Sequence, residues 1–202
     1  MIKDLTEYSD ENLVQIAQGN TELSINDGFD QLINRYRDRV FGLCFSYLRN
    51  RSQAEDVTQE VFIRVCRAIG KFEGRCKFGT WLYRIAANAC LNRIRDQKRR
   101  PTSLPLEEAI LPAPSKPTED PRHENLKKEL IAALVTAVDG LPDRQRETFR
   151  LRYFSKLSVK NTAEVMGVEE GTVKAHYFAA LKNIRKILEE LLGKEKLFYL
   201  LG

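Results

Sequence analysis

The sequence predicts an all-α fold: two small helical domains joined by a Pro-rich flexible linker, the C-terminal one containing a helix-turn-helix. Three observations predict it. Apolar residues recur with helical spacing along nearly the whole chain, and no alternating strand pattern is found. Six of the seven prolines fall between Pro101 and Pro121. A short amphipathic run, Ser158 to Met166, is followed by Gly167 and then by a second helical run.

The elements follow in order. Ser9-Asp10-Glu11 starts a first helix, which carries Leu13, Val14, Ile16 and Ala17 and stops near Gly19. Phe29, Leu32, Ile33, Tyr36, Val40, Phe41, Leu43, Cys44 and Leu48 mark a second. Ser52, with Glu55 at capping-box distance, is expected to open a third, whose inner face is Ala54, Val57, Val61, Phe62, Val65 and Ile69. A loop from Gly70 to about Lys77 leads into a helix from Gly79 towards Lys98, which must stop before Pro101. The proline-rich stretch cannot be a regular helix, because proline removes backbone donors and restricts its predecessor. The expected boundaries are therefore 1–100 for the first domain, 101–124 for the linker and 125–202 for the second domain. In the second, His123 to Val138 form one helix, Leu141-Pro142-Asp143 opens the next, and two more flank the turn at Gly167.

Charge is distributed unevenly. Residues 1–63 carry 6 Lys/Arg against 11 Asp/Glu, whereas residues 64–100 carry 11 against 2. An acidic surface joined to a basic, ring-bearing one suggests two partners. The basic half suits a phosphate backbone, and its rings suit unpaired bases. The net charge of +5 favours a polyanion without proving one.

Cys44, Cys66, Cys76 and Cys90 contain no C-x-x-C pair, so no metal site is expected. They read as plain thiols of a reducing compartment, mostly buried, with Cys76 the most exposed. No signal peptide or membrane-spanning run is visible, and the expected location is cytoplasmic with no membrane insertion. The chain shows no carboxylate cluster with metal-ligand character, no Gly-rich phosphate loop and no nucleophile beside a histidine. A non-enzymatic protein with no catalytic residue, no cofactor and no small-molecule substrate is expected.

Three groups of residues carry the functional reading. On the third helix Asp56, Gln59, Glu60 and Arg64 share one face by their spacing. A solvated face and a protein-docking face fit that spacing about equally. On the fourth, Arg84, Asn88, Asn92 and Arg95 form one polar stripe whose amides can bond to bases or to sugar-phosphate. Mid-helix asparagines have poor helix propensity, so two in one stripe ask for a functional reason. Phe72, Phe78, Trp81 and Tyr83 surround the loop before it; at least two are expected in the core, and any exposed ones offer stacking surfaces. In the helix-turn-helix, the second helix presents Thr172, Lys174 and His176 for base edges and Lys174, Lys182 and Arg185 for phosphate. Glu169 and Glu170 are unusual beside a polyanion. An αα-hairpin that binds no DNA also fits the pattern.

These motifs in this order resemble the extracytoplasmic-function (group four) class of bacterial RNA polymerase sigma factors. Ala54-Glu55-Asp56-Val57-Thr58-Gln59-Glu60-Val61-Phe62 is similar to the family's polymerase-binding helix. Phe78-Gly79-Thr80-Trp81-Leu82-Tyr83-Arg84 through Asn88 is similar to its signature for opening and reading the promoter −10 element. Leu141-Pro142-Asp143-Arg144-Gln145-Arg146 and Gly171-Thr172-Val173-Lys174 are similar to its −35-reading domain. The resemblance implies a subunit that binds core RNA polymerase and directs promoter-specific initiation. It implies that Asp56, Gln59, Glu60 and Phe62 meet the clamp helices of the largest subunit. It implies that Phe72, Lys77, Phe78, Trp81, Arg84, Asn88, Asn92 and Arg95 hold melted −10 DNA. Thr172, Lys174, His176, Lys182 and Arg185 would read the −35 duplex, and an anti-sigma protein is an implied partner. The chain departs from many relatives in Ala175-His176, Ala179 and Leu181, so its −35 preference cannot be copied from them. The rival is a helix-turn-helix transcriptional regulator that acts without being a polymerase subunit.

Overall fold

The computed structural model describes residues 5–99 and 121–201. Among them the secondary structure is helical: α1 (Asp10–Ala17), α2 (Ile25–Leu48), α3 (Arg51–Ala68), a 3-10 turn (Ile69–Lys71), α4 (Phe78–Arg99), α5 (Pro121–Asp139), α6 (Asp143–Tyr153), α7 (Val159–Met166), α8 (Glu170–Leu192) and α9 (Lys194–Leu201). The expected linker at 101–124 lies almost wholly outside the described residues. Its last residues instead begin α5 at Pro121, two residues before the expected start; proline fits a first helical turn because its missing N–H would have no partner there.

The first compact unit contains α1 to α4. Leu13, Ile16, Leu32, Val40, Leu43, Val57, Val61, Val65, Leu82 and Cys90 fill its core. Ser9 caps α1 by accepting from the Asn12 N–H at 3.2 Å, as its sequence position predicts. Asn50, rather than Ser52, caps α3. Its backbone is extended and its Oδ1 accepts from the Gln53 N–H at 2.9 Å, so the helix starts earlier. Glu55 consequently sits one turn into α3 and pairs with Arg51 at 3.0 Å. Gly28 marks the close crossing of α1 and α2. A Cβ there would stand 2.7 Å from Ile16 Cγ2 and 2.9 Å from the Ala17 backbone nitrogen.

Asp10 ties α1 to α2. One oxygen takes Arg35 at 2.6 Å, and the other accepts the Tyr36 hydroxyl. The Tyr36 ring meets Phe78 edge-on at 5.5 Å and Tyr83 at 6.0 Å, which carries that anchorage into the start of α4.

The second unit contains α5, α6, α8 and α9, with α7 through Ala163. Its core is Ala133, Ala137, Val138, Leu141, Phe149, Ala180, Ile184, Leu188 and Leu197. Phe149 stacks on Tyr153 at 5.3 Å and on Tyr177 at 6.4 Å, and Arg152 covers the Tyr177 ring.

Candidate functional site

The outer face of α3 separates cleanly from its inner one. Ala54, Val57, Thr58, Val61, Phe62 and Val65 are buried, while Asp56 and Gln59 are exposed and Glu60 is half-exposed. Glu60 forms an ion pair with Arg64 one turn on. Phe62 is core, only 8% exposed, as the apolar spacing expects and contrary to the docking role the resemblance implied for it. The inner stripe of α3 is wide enough to take both Val61 and Phe62, as a globular helix packed on two neighbours requires. Ile63, which the residue pattern did not single out, is 51% exposed. It stands one turn beyond Gln59 and two beyond Asp56, so helical spacing alone could have found it.

The aromatic group between the 3-10 turn and α4 sorts into two layers. Phe78 and Tyr83 are core, 3% and 2% exposed. Phe78 therefore cannot offer its face to a base, contrary to the expectation; it fills the space beneath Tyr36, Phe72 and Trp81. Phe72 and Trp81 remain half-exposed, with ring centroids 4.9 Å apart. Gly74, with φ +71°, turns the chain between Phe72 and the exposed Lys77. Trp81 donates its backbone N–H to the Lys77 carbonyl at 3.2 Å. Gly79 packs closely on Tyr36: a Cβ there would lie 3.0 Å from the Tyr36 hydroxyl oxygen, a tight approach.

Along α4, Arg84, Asn88, Asn92 and Arg95 are all exposed, and Leu82, Ala86, Ala89 and Cys90 are buried. Ile85 and Ile94 are half-buried. Arg95 donates to Asn92 Oδ1 at 3.2 Å, which leaves the Asn92 amide nitrogen as a donor on the surface.

Burial raises the Tyr83 hydroxyl to about 12 against the opposing pull of Arg39. Burial, then the hydrogen bond to Asp10, pushes Tyr36 higher still. The Cys44 thiol is lowered, chiefly by a hydrogen bond from Cys90. Cys66 is exposed and Cys76 only partly so, contrary to the expectation that Cys76 would be the most exposed. The place of Cys66 on α3 follows Val65 onto the outer side. Among the described residues no group of three or more His, Cys, Asp or Glu side chains is placed to hold a metal. No described helix is long and apolar enough to cross a membrane.

In the second unit, Ser158 caps α7 by accepting from the Asn161 N–H at 3.1 Å. Thr162 is buried and donates to the Ser158 carbonyl at 2.8 Å. Gly167 adopts φ +66°, and the Val168 N–H reaches back to the Ala163 carbonyl at 3.1 Å. These bonds close the turn and start α8 at Glu170. Val173 is fully buried under the turn. Lys174, Lys182 and Arg185 are exposed, and Thr172 and His176 are half-buried. Arg185 shares its charge with Glu189 at 3.0 Å.

The family model for Sigma-70 region 2 matches residues 32–100, and that for Sigma-70 region 4 matches residues 131–184. The RNA polymerase sigma-H factor of Pseudomonas aeruginosa is 34% identical over 93% of this chain and 98% of its own length. The ECF RNA polymerase sigma factor SigW of Bacillus subtilis is 34% identical over 82% of this chain and 91% of its own. The chain belongs to the extracytoplasmic-function sigma factors.

A sigma factor binds core RNA polymerase and directs promoter-specific transcription, which the rival reading as a free-standing regulator does not accommodate. The fold agrees. CnrH, solved with the cytosolic domain of CnrY, superposes with a TM-score of 0.65 at 20% identity, over 90% of this chain and 97% of that one. The Bartonella quintana sigma factor RpoE, solved with the anti-sigma factor NepR, gives 0.65 at 21% identity, over 80% and 96%. In this sigma factor the α3 face and the α4 stripe both fall in region 2, and the turn at Gly167 falls in region 4. Helices α1 and α9 lie outside both matched ranges.

Proposed function

We propose that this sigma factor divides its contacts among three surfaces. The α3 face, Asp56, Gln59 and Glu60 with Ile63, docks on the clamp helices of the largest polymerase subunit. Phe72 and Trp81, with Lys77, Arg84, Asn88, Asn92 and Arg95, capture unpaired non-template bases of the −10 element. Capture offsets the cost of unstacking a base and so holds the strand open. The N-terminal turns of α8 read the −35 duplex: Lys174, Thr172 and His176 lie nearest base edges, and Lys182 and Arg185 meet phosphate.

The observation that carries this reading is the exposure of all four stripe residues on α4 against a buried opposite face. Two asparagines and two arginines presented to solvent along some three turns suit sugar-phosphate and base edges better than a helix–helix seam. The protein is then a non-enzymatic subunit acting in the cytoplasm. An anti-sigma protein restrains it, as NepR is found on RpoE in the solved complex.

Sequencing the transcripts made in vitro by core polymerase with this chain tests the reading and maps both promoter elements. Random start sites, or no co-elution with core, would sink it.

A further inference from the structure

Gln18, the C-cap of α1, is half-buried, and its side-chain amide is engaged within the protein. Its amide Nε2 donates to the Ile69 carbonyl at 2.9 Å and to the Phe72 carbonyl at 2.9 Å. Both amide hydrogens are therefore spent on the segment that opens the aromatic loop. The orientation of that amide is set from behind: its Oε1 accepts from Asn20 Nδ2 at 3.2 Å, and the same Nδ2 lies 2.9 Å from Gln15 Oε1. The flipped amide would set an oxygen against two carbonyls and a nitrogen against a nitrogen, so the network admits one orientation.

The two carbonyls matter because of what they bracket. Ile69 O also accepts from the Phe72 N–H at 3.0 Å, which closes the 3-10 turn. Gln18 thus grips both ends of that turn. Phe72 leaves it extended, at φ −76° and ψ 111°, and its ring forms one wall of the half-exposed pair with Trp81. Two residues on, Gly74 takes the left-handed region and turns the chain away.

We infer that Gln18 is a positioning residue for promoter melting: it pre-sets the backbone of Phe72, and so the Phe72–Trp81 stacking surface, before DNA arrives. The inference rests on the assignment of that surface to −10 base capture. Pre-organisation lowers the ordering cost of binding without touching the ligand. It also gives α1, which lies outside the matched region 2, a part in DNA opening rather than only in the core.

The test uses holoenzyme reconstituted with core polymerase. The probe is a single-stranded oligonucleotide copying the non-template −10 strand of a promoter mapped by in vitro transcription. Gln18→Met keeps length and packing but has no donor. It should weaken capture about tenfold, the scale of losing two partly buried hydrogen bonds. Emission of Trp81, the chain's single tryptophan, should shift in the free variant as its ring becomes wetter. Competition for core should stay at the wild-type level. Asn20→Ala, at an exposed position, frees the amide to turn and should move capture the same way by less; it carries the test if Gln18→Met fails to compete for core. Trp81→Ala is the reference. Wild-type capture by both Gln18→Met and Asn20→Ala, with loss in Trp81→Ala, overturns the role of Gln18 and leaves the capture surface standing. Wild-type capture by Trp81→Ala overturns the surface itself, and Gln18's role falls with it.

Discussion

Phe72 and Trp81 meet at 4.9 Å with their planes inclined by 37°, while Phe78 beneath them is sealed from solvent. Two half-exposed rings over a third in the core form the proposed capture surface. Trp81→Ala should lower affinity for the −10 single strand by about tenfold to a hundredfold, the scale of one base–aromatic stack. Phe78→Ala should act differently, lowering thermal stability by about 3–5 kcal/mol as a core truncation. Fluorescence anisotropy on the oligonucleotide and a melting curve separate the two.

On α3, Asp56→Ala combined with Glu60→Ala should weaken competition for core polymerase about tenfold and leave the fold intact. Asp56 should account for more of the loss, since Glu60 already shares its charge with Arg64. Ile63→Ser should weaken docking further, because an exposed aliphatic beside polar groups adds apolar contact once water is excluded. Competition against a labelled sigma factor for limiting core measures all three.

In region 4, Lys174→Ala should reduce affinity for the −35 duplex and lower the salt dependence of binding by about one counterion. Capture of a fork carrying only the −10 element should not change. Arg185→Ala should cost less than Lys174→Ala, because Arg185 is committed to Glu189.

The helices were legible because their inner faces repeat at 3.6 residues, and that repeat survives in any one sequence. The stripe Arg84, Asn88, Asn92 and Arg95 could be read for the same reason. Phe78 and Cys66 could not. Each borders an inner stripe, and which side of the border faces the core depends on how a neighbouring helix crosses. Gln18 was equally hidden: its partners at Ile69 and Phe72 are about fifty residues away, and no local pattern reports such a bond. Asn50 displaced Ser52 as the α3 cap because both residues can serve, and only the chain path decides.

Alkali should loosen the first unit. Tyr83 ionises near 12 in the folded chain and at its ordinary value of 10.0 once unfolded, so folding favours the neutral hydroxyl. Its contribution is whole below about pH 10 and is lost as pH rises towards 12, on the order of a few kcal/mol. Tyr36 acts in the same sense. Tyrosinate absorbance and helical circular dichroism should therefore change together in this range, with Tyr83→Phe moving the transition upward.

Gly28→Ala should destabilise the same unit by about 1–3 kcal/mol. The added carbon would collide with backbone at Ala17, which cannot swing aside like a side-chain tip. Thermal unfolding of the full chain measures it.

The core of the first unit is drawn from residues between Leu13 and Cys90, and Asp10 binds Arg35 and Tyr36 without help from anything later. During synthesis, at roughly 5–20 residues per second, α1 to α4 are complete seconds before α8 has emerged. The nascent chain thus gains the α3 face, the proposed polymerase dock, before it gains α8, the proposed −35 reader. Whatever seizes the α3 face first meets a half-made protein, and the order of translation becomes part of the contest for it.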